Sequence, residues 1–328
     1  MTAASPARPR RPSSGDLAGI TFRYATDDDL PECGRIHQEA IDGYLVPMRF
    51  PPLPRENQSL LRLHAHTRAT SPERFIVAER RKRLGRPRIV AFGSAIDRER
   101  LWFLSMLFVE PGEQARGLGS ALLVRLLPRD RGGWTLSTCT DAAQPISNGL
   151  YAAYGMVPRM PFFNLVGRPR PGWAPSPLPD GVTATRVEPR AAGTTDAAVQ
   201  AELDALDRSL IGAAHPEDHA YDLRERPWLF AYRDGSGRLL GYGYTGEVGR
   251  IGPLAVVDGA LQGPVLGHLL TAVEPRGASA VWLPGDGDGA FETAIRAGLR
   301  IEGFPTLLCY DRPFGDFARY VPTSPGLI

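Results

Sequence analysis

Residues 109–119 read Val-Glu-Pro-Gly-Glu-Gln-Ala-Arg-Gly-Leu-Gly, after an apolar run at residues 101–109 and before the helical pattern Ser-Ala-Leu-Leu-Val-Arg-Leu-Leu. The chemistry that such a stretch supports is anion binding. A strand, a turn with glycines at Gly117 and Gly119, and a helix opening there aim backbone N–H groups and a positive helix end at one point. Residues without a Cβ let those N–H groups come close to a phosphate, so glycines fall where contacts are made. A diphosphate suits the cradle, and Arg116 adds charge beside it. Leu118, Ala121, Leu122 and Leu126 recur at helical spacing, giving the helix one apolar face to lay on a sheet.

Other glycine loops fit less well. A Walker loop needs Gly-Lys-Ser/Thr, and Lys82, in Arg80-Arg81-Lys82-Arg83, is the single lysine of the chain. A dinucleotide fingerprint wants a third glycine where Leu122 stands, with an acidic residue closing a second strand. What remains, Gln114-Ala115-Arg116-Gly117-Leu118-Gly119, resembles the Gln/Arg-x-x-Gly-x-Gly/Ala loop of the GCN5-related N-acetyltransferases (GNATs). In that family the loop follows a strand through a Val-x-Pro turn, and Val109-Glu110-Pro111-Gly112-Glu113 has that spacing.

The resemblance implies that Gln114, Ala115, Arg116, Gly117, Leu118, Gly119 and Ser120 bind the pyrophosphate of acetyl-CoA. It also implies that a backbone N–H of Leu107, Phe108 or Val109 holds the thioester oxygen where the sheet splays. Residues 148–158 resemble the end of a second family helix, leucine-tyrosine-x-x-x-glycine-phenylalanine, with Met156 in the phenylalanine position. Tyr151 matches the tyrosine that protonates the departing thiolate, and Asn148 is counted with the cofactor-binding residues. Alone, an aromatic on an amphipathic helix reads as packing; the loop and the strand-like residues 133–139 before it favour the functional reading. The base that takes the amine proton is open: Glu110, taken as the catalytic candidate, Asp97, Glu99, Glu39 or a water chain would serve.

The elements that must position these groups follow the family's order. Residues 1–18, rich in Pro, Arg, Ser and Ala, are expected to be a mobile tail. Ile20-Thr21-Phe22-Arg23-Tyr24 alternates like a strand, and Thr26-Asp27-Asp28-Asp29 offers caps to a helix over residues 30–40. Residues 74–78 and 88–93 look like paired strands, and 101–109 like the strand feeding the loop. Residues 168–181 carry five of the chain's prolines and read as a stiff extended linker. Beyond them the pattern repeats, with strands expected at residues 182–187, 228–232, 241–244 and 251–257. The expected fold is α/β (α+β): two tandem GNAT-like domains, residues 19–167 and 182–328, each a mixed, mostly antiparallel sheet flanked by helices.

In the second copy Gln262 falls opposite Gln114, but Pro264 replaces Arg116 and Val265 replaces Gly117, while Gly267 matches Gly119. Proline removes an N–H and valine brings a branched Cβ to the phosphate position. Ala294 falls opposite Tyr151. The C-terminal domain is therefore expected to be a degenerate copy, and the N-terminal one to be the acetyl-CoA-binding, catalytic domain.

Composition bounds the rest. At 328 residues, 43% hydrophobic and 23% charged, the chain is of ordinary globular type, and a formal charge of +2 offers no footprint for nucleic acid. No apolar run is long enough to span a membrane and no signal core opens the chain, so a cytoplasmic protein is expected. Cys33, Cys139 and Cys309 form no Cys-x-x-Cys pair. His215 and His219, four apart, would share a helical face, but Pro216 lies between them and no third ligand stands near, so solvated histidines are expected. The acidic turn at residues 285–289 lacks a calcium loop's closing glutamate. No metal is expected. The expected partner is a small-molecule or peptide amine, a small or hydrophobic one being preferred because residues 41–50 and 159–165 are mostly apolar and aromatic. A homodimer is left open.

Overall fold

In the computed structural model, which describes residues 17–55, 57–82, 85–190 and 193–328, the alternating segment at the start forms strand β1 (Ile20–Tyr24). All but the last two residues of the expected tail lie outside the described residues. The chain divides into two units. The first holds residues up to Asp97, Trp102–Ser137 and Ala153–Gly155; the second holds Arg98–Leu101, Thr138–Ala152 and Met156–Ile328.

In the first unit, β1 leads through Asp29 into α1 (Leu30–Leu45), which runs five residues past the expected end. Asp29 starts it well: its Oδ2 accepts from Thr26 N–H at 2.7 Å, and Arg23 grips both of its oxygens at 2.6 and 2.8 Å. That pairing holds the Asp29 carboxyl down at about 2. Helix α2 (Gln58–Thr70) is capped by Asn57, whose Oδ1 accepts from Leu60 N–H at 3.1 Å. Then come β2 (Phe75–Arg80), β3 (Arg88–Arg98), β4 (Leu101–Val109), α3 (Leu118–Leu126) and the opening residues of β5 (Thr135–Asp141), whose remainder belongs to the second unit. The strands β1, β2 and β3 pair antiparallel, with a register shift after Ala78, and β4 follows in order.

The apolar face of α3, Leu118, Ala121, Leu122 and Leu126, is buried as its spacing implies. Trp102 on β4 donates from Nε1 to Leu126 O at 3.0 Å, satisfying a carbonyl at the end of that helix. Gly93 on β3 makes room for it, because a Cβ there would stand 2.7 Å from Leu126 Cδ1 and 3.0 Å from Leu107 Cδ1. Helix α3, the strand that feeds its loop and the sheet beneath are thereby locked together.

The second unit opens with α4 (Pro145–Ala152) and β6 (Val157–Gly167), followed by β7 (Thr183–Val187), α5 (Ala197–Ile211), α6 (Pro216–Glu225), β8 (Trp228–Arg233) and β9 (Leu239–Thr245). Next are β10 (Arg250–Ile251), β11 (Leu254–Val256), α7 (Gln262–Ala272), β12 (Ser279–Pro284), α8 (Asp288–Ala297), β13 (Arg300–Ile301), β14 (Thr306–Tyr310) and β15 (Tyr320–Val321). The strand expected over residues 251–257 is two short strands, broken at Gly252-Pro253, where proline has no N–H to give to a ladder. Antiparallel β7, β8, β9, β11 and β15 make one sheet, with α7 laid on β9 where Gly243 admits Leu269.

The units do not divide at the proline-rich stretch. Strand β6 pairs antiparallel with β14 through Val157–Phe162 and with β12 through Phe162–Gly167, while β13 continues the β14 side. Its hydrogen-bond partners therefore come from residues far along the chain, and backbone groups follow their partners. Residues 168–181 are pinned as well: Arg170 N–H donates to Ala297 O at 2.7 Å, and Pro175 Cβ would be 2.7 Å from a Cβ on Gly267. They are a packed strap, where a spacer was expected. Among the described residues no helix is long and apolar enough to cross a membrane.

Candidate functional site

The loop between β4 and α3 has the form that its glycine content implies. The last three residues of β4, Leu107, Phe108 and Val109, are half-buried where the six before them are buried. Pro111–Glu113 make one tight turn, Gln114 is extended, Ala115 has φ 61° and Gly117 has φ 77°, after which Leu118 opens α3. Two left-handed residues in three turn the chain back on itself, so Gly117 answers a real backbone demand. The Gln114 side chain donates to Val109 O at 3.0 Å and closes the loop on the strand. The first helical bond runs from Ala121 N–H to Gly117 O at 2.9 Å. The N–H groups of Leu118, Gly119 and Ser120 thus precede the hydrogen-bonded part of the helix and face out of its positive end. Ser120 Oγ shares a hydrogen bond of 3.1 Å with Tyr154 Oη.

Beneath the loop, charge is arranged to hold it. Glu113 is gripped by Arg80 through both oxygens, with Nε–Oε1 at 2.6 Å, and Arg116 Nη1 adds a third contact at 3.1 Å. These guanidiniums, Arg80 first, hold the Glu113 carboxyl below the usual range. Arg116, half-exposed, keeps the rest of its guanidinium toward solvent at the mouth of the loop. Glu110 has a different setting from the one expected of a base. It is 9% exposed and its Oε1 is shared by Arg88 and, at 3.2 Å, by Arg35 of α1. The alternatives are paired too: Glu39 with Arg35 at 2.6 Å, Asp97 with Arg74 at 2.9 Å, and Glu99 with Arg208 at 2.7 Å.

Two histidines, His64 buried and His37 half-buried, border the strand end. His37 on α1 lies tilted against Phe108 with centroids 4.2 Å apart, and His64 on α2 lies edge-on to Phe92 at 5.2 Å. His37 Nδ1 and both ring nitrogens of His64 have no hydrogen-bond partner. Burial pushes His37 down to about 4 and His64 down to about 3, so both are neutral imidazoles. Sequence pattern carried no sign of them, because histidines spaced along polar helices read as surface. On the same unit, a groove of about 660 Å³ runs between α1 and the segment before α2, lined by Arg35, Gln38, Glu39, Asp42 and Leu53 among others. It is more polar than the apolar acceptor surface expected, although Val46, Met48 and Phe50 nearby in sequence are exposed at 51%, 41% and 37%.

Asn148 and Tyr151 lie on α4, in the second unit. Asn148 Nδ2 donates to Asp141 O at 3.1 Å and Gln144 O at 2.8 Å, while its buried Oδ1 is left without a partner. Tyr151 is 5% exposed, and burial pushes its phenol upward, so it keeps its proton. Cys139 and Cys309 are thiols raised by burial, Cys309 to about 12, which leaves no reactive thiolate there.

In the C-terminal copy the counterpart of the loop is helix. Helix α7 already begins at Gln262, and Pro264 and Val265 sit inside it. A Cβ on Gly263 would be 2.9 Å from Gly289 O, and Gly267 abuts Pro175, so neighbouring backbone fills the space above the helix start. His215 and His219 correct another expectation. They are 2% and 0% exposed, and Asp207 joins them with one ligand atom of each within 4.8 Å of the others. Pro216 is the first residue of α6, where proline is tolerated, so it starts the helix instead of disrupting the pair.

Comparison with known proteins accords with this geometry. Residues 39–156 match the Acetyltransferase (GNAT) family. Over 202 residues the chain is 36% identical to the mycothiol acetyltransferase of Thermomonospora curvata, a match covering 53% of this chain and 62% of that protein. A putative acetyltransferase from Pyrococcus horikoshii has the same fold with a TM-score of 0.69 at 17% identity, over 94% of this chain and 96% of the other. A tandem GNAT protein from the clavulanic acid biosynthesis pathway gives 0.52 at 14% identity, over 90% and 99%. Residues 39–156 are thus similar to the GNAT acetyltransferase family, and the chain as a whole has the fold of a tandem GNAT protein.

Proposed function

We propose that the protein is an acetyl-CoA-dependent N-acetyltransferase whose working cradle is the loop of the first unit, residues 114–120. The observation that carries this reading is the backbone at Ala115 and Gly117, which opens α3 so that successive N–H groups face outward beside Arg116. Such a cradle suits a diphosphate. Acetyl-CoA would bring the activated acetyl thioester. The half-buried end of β4 would orient it through backbone N–H groups of Leu107 to Val109, and Tyr151 would hold a proton on its phenol oxygen for the leaving group. Glu110, gripped by Arg35 and Arg88, is assigned to fastening α1 to the start of the loop; the acceptor's proton would pass to water. The second copy, with helix where the cradle would be, is assigned an architectural part.

The acceptor is an amine. The name of the Thermomonospora relative puts the amine that yields mycothiol on acetylation at the head of the panel, with peptide N-termini and small apolar amines behind it. The test is thiol release from acetyl-CoA by the full chain with that panel. Gly117→Val should abolish both release and any thermal stabilisation by acetyl-CoA, and Tyr151→Phe should slow release while sparing that stabilisation. Stabilisation without release on any amine would turn the reading to a non-catalytic acyl-CoA-binding module. No stabilisation by acetyl-CoA would leave a structural pseudoenzyme pair.

A further inference from the structure

The two faces of the first unit's sheet are dressed differently at the end of β4. Gly93 on β3 faces α3, since a Cβ there would meet Leu126 Cδ1 at 2.7 Å. Phe92, next along the strand, points the other way, toward His64 of α2 at 5.2 Å and Phe108 of β4 at 5.7 Å. His37 of α1 lies against Phe108 on that second face, with centroids 4.2 Å apart. Helix α3 starts at the cradle, so a thioester anchored there meets the end of β4 from the α3 side. The acceptor then comes from the opposite side, which His37 borders. Phe108 joins the two, because its N–H is one of those assigned to the thioester oxygen and its ring is the one that His37 touches.

We infer that His37 is the catalytic base of the transfer proposed above, taking at Nε2, directly or through one water, the proton that the acceptor nitrogen loses. The inference rests on that reading and names the group through which the proton reaches water. Every carboxylate weighed for the task is held by an arginine: Glu39 by Arg35, Asp97 by Arg74, Glu99 by Arg208 and Glu110 by Arg88. His37 has no ion pair or hydrogen bond among the described residues. Its Nδ1 is buried without a partner, whereas Nε2 is on the open edge of a half-buried ring. With the ring hydrogen on Nδ1, the lone pair is on Nε2, and protonation alters only that open edge. The titratable group facing it from α2 is His64, 6.0 Å away between centroids and itself neutral. Burial holds His37 down to about 4, so at neutral pH the ring is in its accepting form.

The step balances as follows. The lone pair of the neutral amine attacks the thioester carbon, the C–N bond forms, and the nitrogen becomes positively charged. Its proton, far more acidic than that of a free ammonium, passes to His37 Nε2. The C–S bond then breaks, and the leaving sulfur takes the phenol proton of Tyr151. The imidazolium, disfavoured by its apolar surroundings, yields its proton to solvent water, and the phenol recovers one from the same source.

The full chain is assayed for thiol release from acetyl-CoA with the amine panel and, separately, for thermal stabilisation by acetyl-CoA alone. His37→Gln should lower kcat by at least ~100-fold and leave that stabilisation unchanged. In His37→Ala, added imidazoles should restore release in the order of their basicity, while pyrazole, a ring of the same shape and a far weaker base, should restore none. A kcat for His37→Gln equal to that of the wild type, or rescue by pyrazole as good as by imidazole, overturns the inference. Should both variants fail to fold by circular dichroism, diethyl pyrocarbonate decides on the wild type. Release should fall in step with modification of His37, read by peptide mass spectrometry, and return with hydroxylamine; release that persists with His37 modified overturns the inference. A wild type that releases no thiol with any amine brings down the proposed function and this inference with it, whereas an active wild type matched by His37→Gln brings down the inference alone.

Discussion

Ser120 Oγ and Tyr154 Oη lie 3.1 Å apart, so the first turn of α3 is tied to a tyrosine thirty-four residues farther along the chain. That bond fixes the hydroxyl of a residue whose backbone N–H faces out of the helix start. Losing it should loosen the cradle without touching the reacting groups. Tyr154→Phe is expected to raise KM for acetyl-CoA several-fold while kcat changes little, and steady-state kinetics with acetyl-CoA as the varied substrate measures the split. An equal fall in kcat at unchanged KM would place Tyr154 in the chemistry instead.

Ala115 offers a test of the backbone itself. At φ 61° it pays a left-handed penalty that glycine escapes, on the order of 1–2 kcal/mol, partly offset by the greater freedom of glycine in the unfolded chain. Ala115→Gly should leave the melting temperature unchanged or slightly raised and acetyl-CoA binding intact. Ala115→Val, which adds β-branching at the same φ, should destabilise by about 1–2 kcal/mol in urea titrations and weaken acetyl-CoA binding. If both variants behave alike, the loop is not held in this conformation.

Arg80 and Glu113 join β2 to the turn under the cradle, with the Glu113 side chain only 9% exposed. Removing the cation strands a mostly buried carboxylate. Arg80→Leu should lower stability by about 1–3 kcal/mol and raise KM for acetyl-CoA, because Glu113 also positions Arg116 at 3.1 Å. The double variant Arg80→Leu, Glu113→Leu should recover most of the stability and none of the affinity, which separates a structural role from a binding one.

The form of the loop could be read from the chain because its constraints are local. Glycine at a left-handed position, proline opening a turn and an apolar face at helical spacing all lie within twenty residues, and β1 and β4 keep their expected bounds. What stayed hidden depends on distant pairing. Strand β6 takes partners from residues 279–284 and 306–310, which no local pattern announces. Asp207 escaped notice for a like reason, lying on the helix before the histidines. His64 was invisible because burial, and not its neighbours in sequence, gives it meaning.

That burial makes the first unit sensitive to pH. His64 is fully buried, with its folded-state value pushed from about 6.5 to about 3, and His37 is at about 4. Below pH 6.5 the unfolded chain takes up protons that the folded chain refuses, so stability must fall as pH drops from about 6.5 toward those values; above 6.5 they contribute no slope. One such histidine is worth about 2 kcal/mol between pH 6.5 and 5. Glu113 works in a lower window: its carboxyl is depressed, so its contribution is full above about 4.5 and is lost as pH falls through the folded value. His64→Phe, a ring that suits its neighbours Phe75 and Phe92, should therefore flatten the stability profile between pH 6.5 and 5 relative to wild type. Urea titrations at three pH values compare the slopes, and other titrating groups cancel in the difference between variant and parent. An undiminished slope in His64→Phe would mean that the imidazole is solvated or protonated in the folded protein.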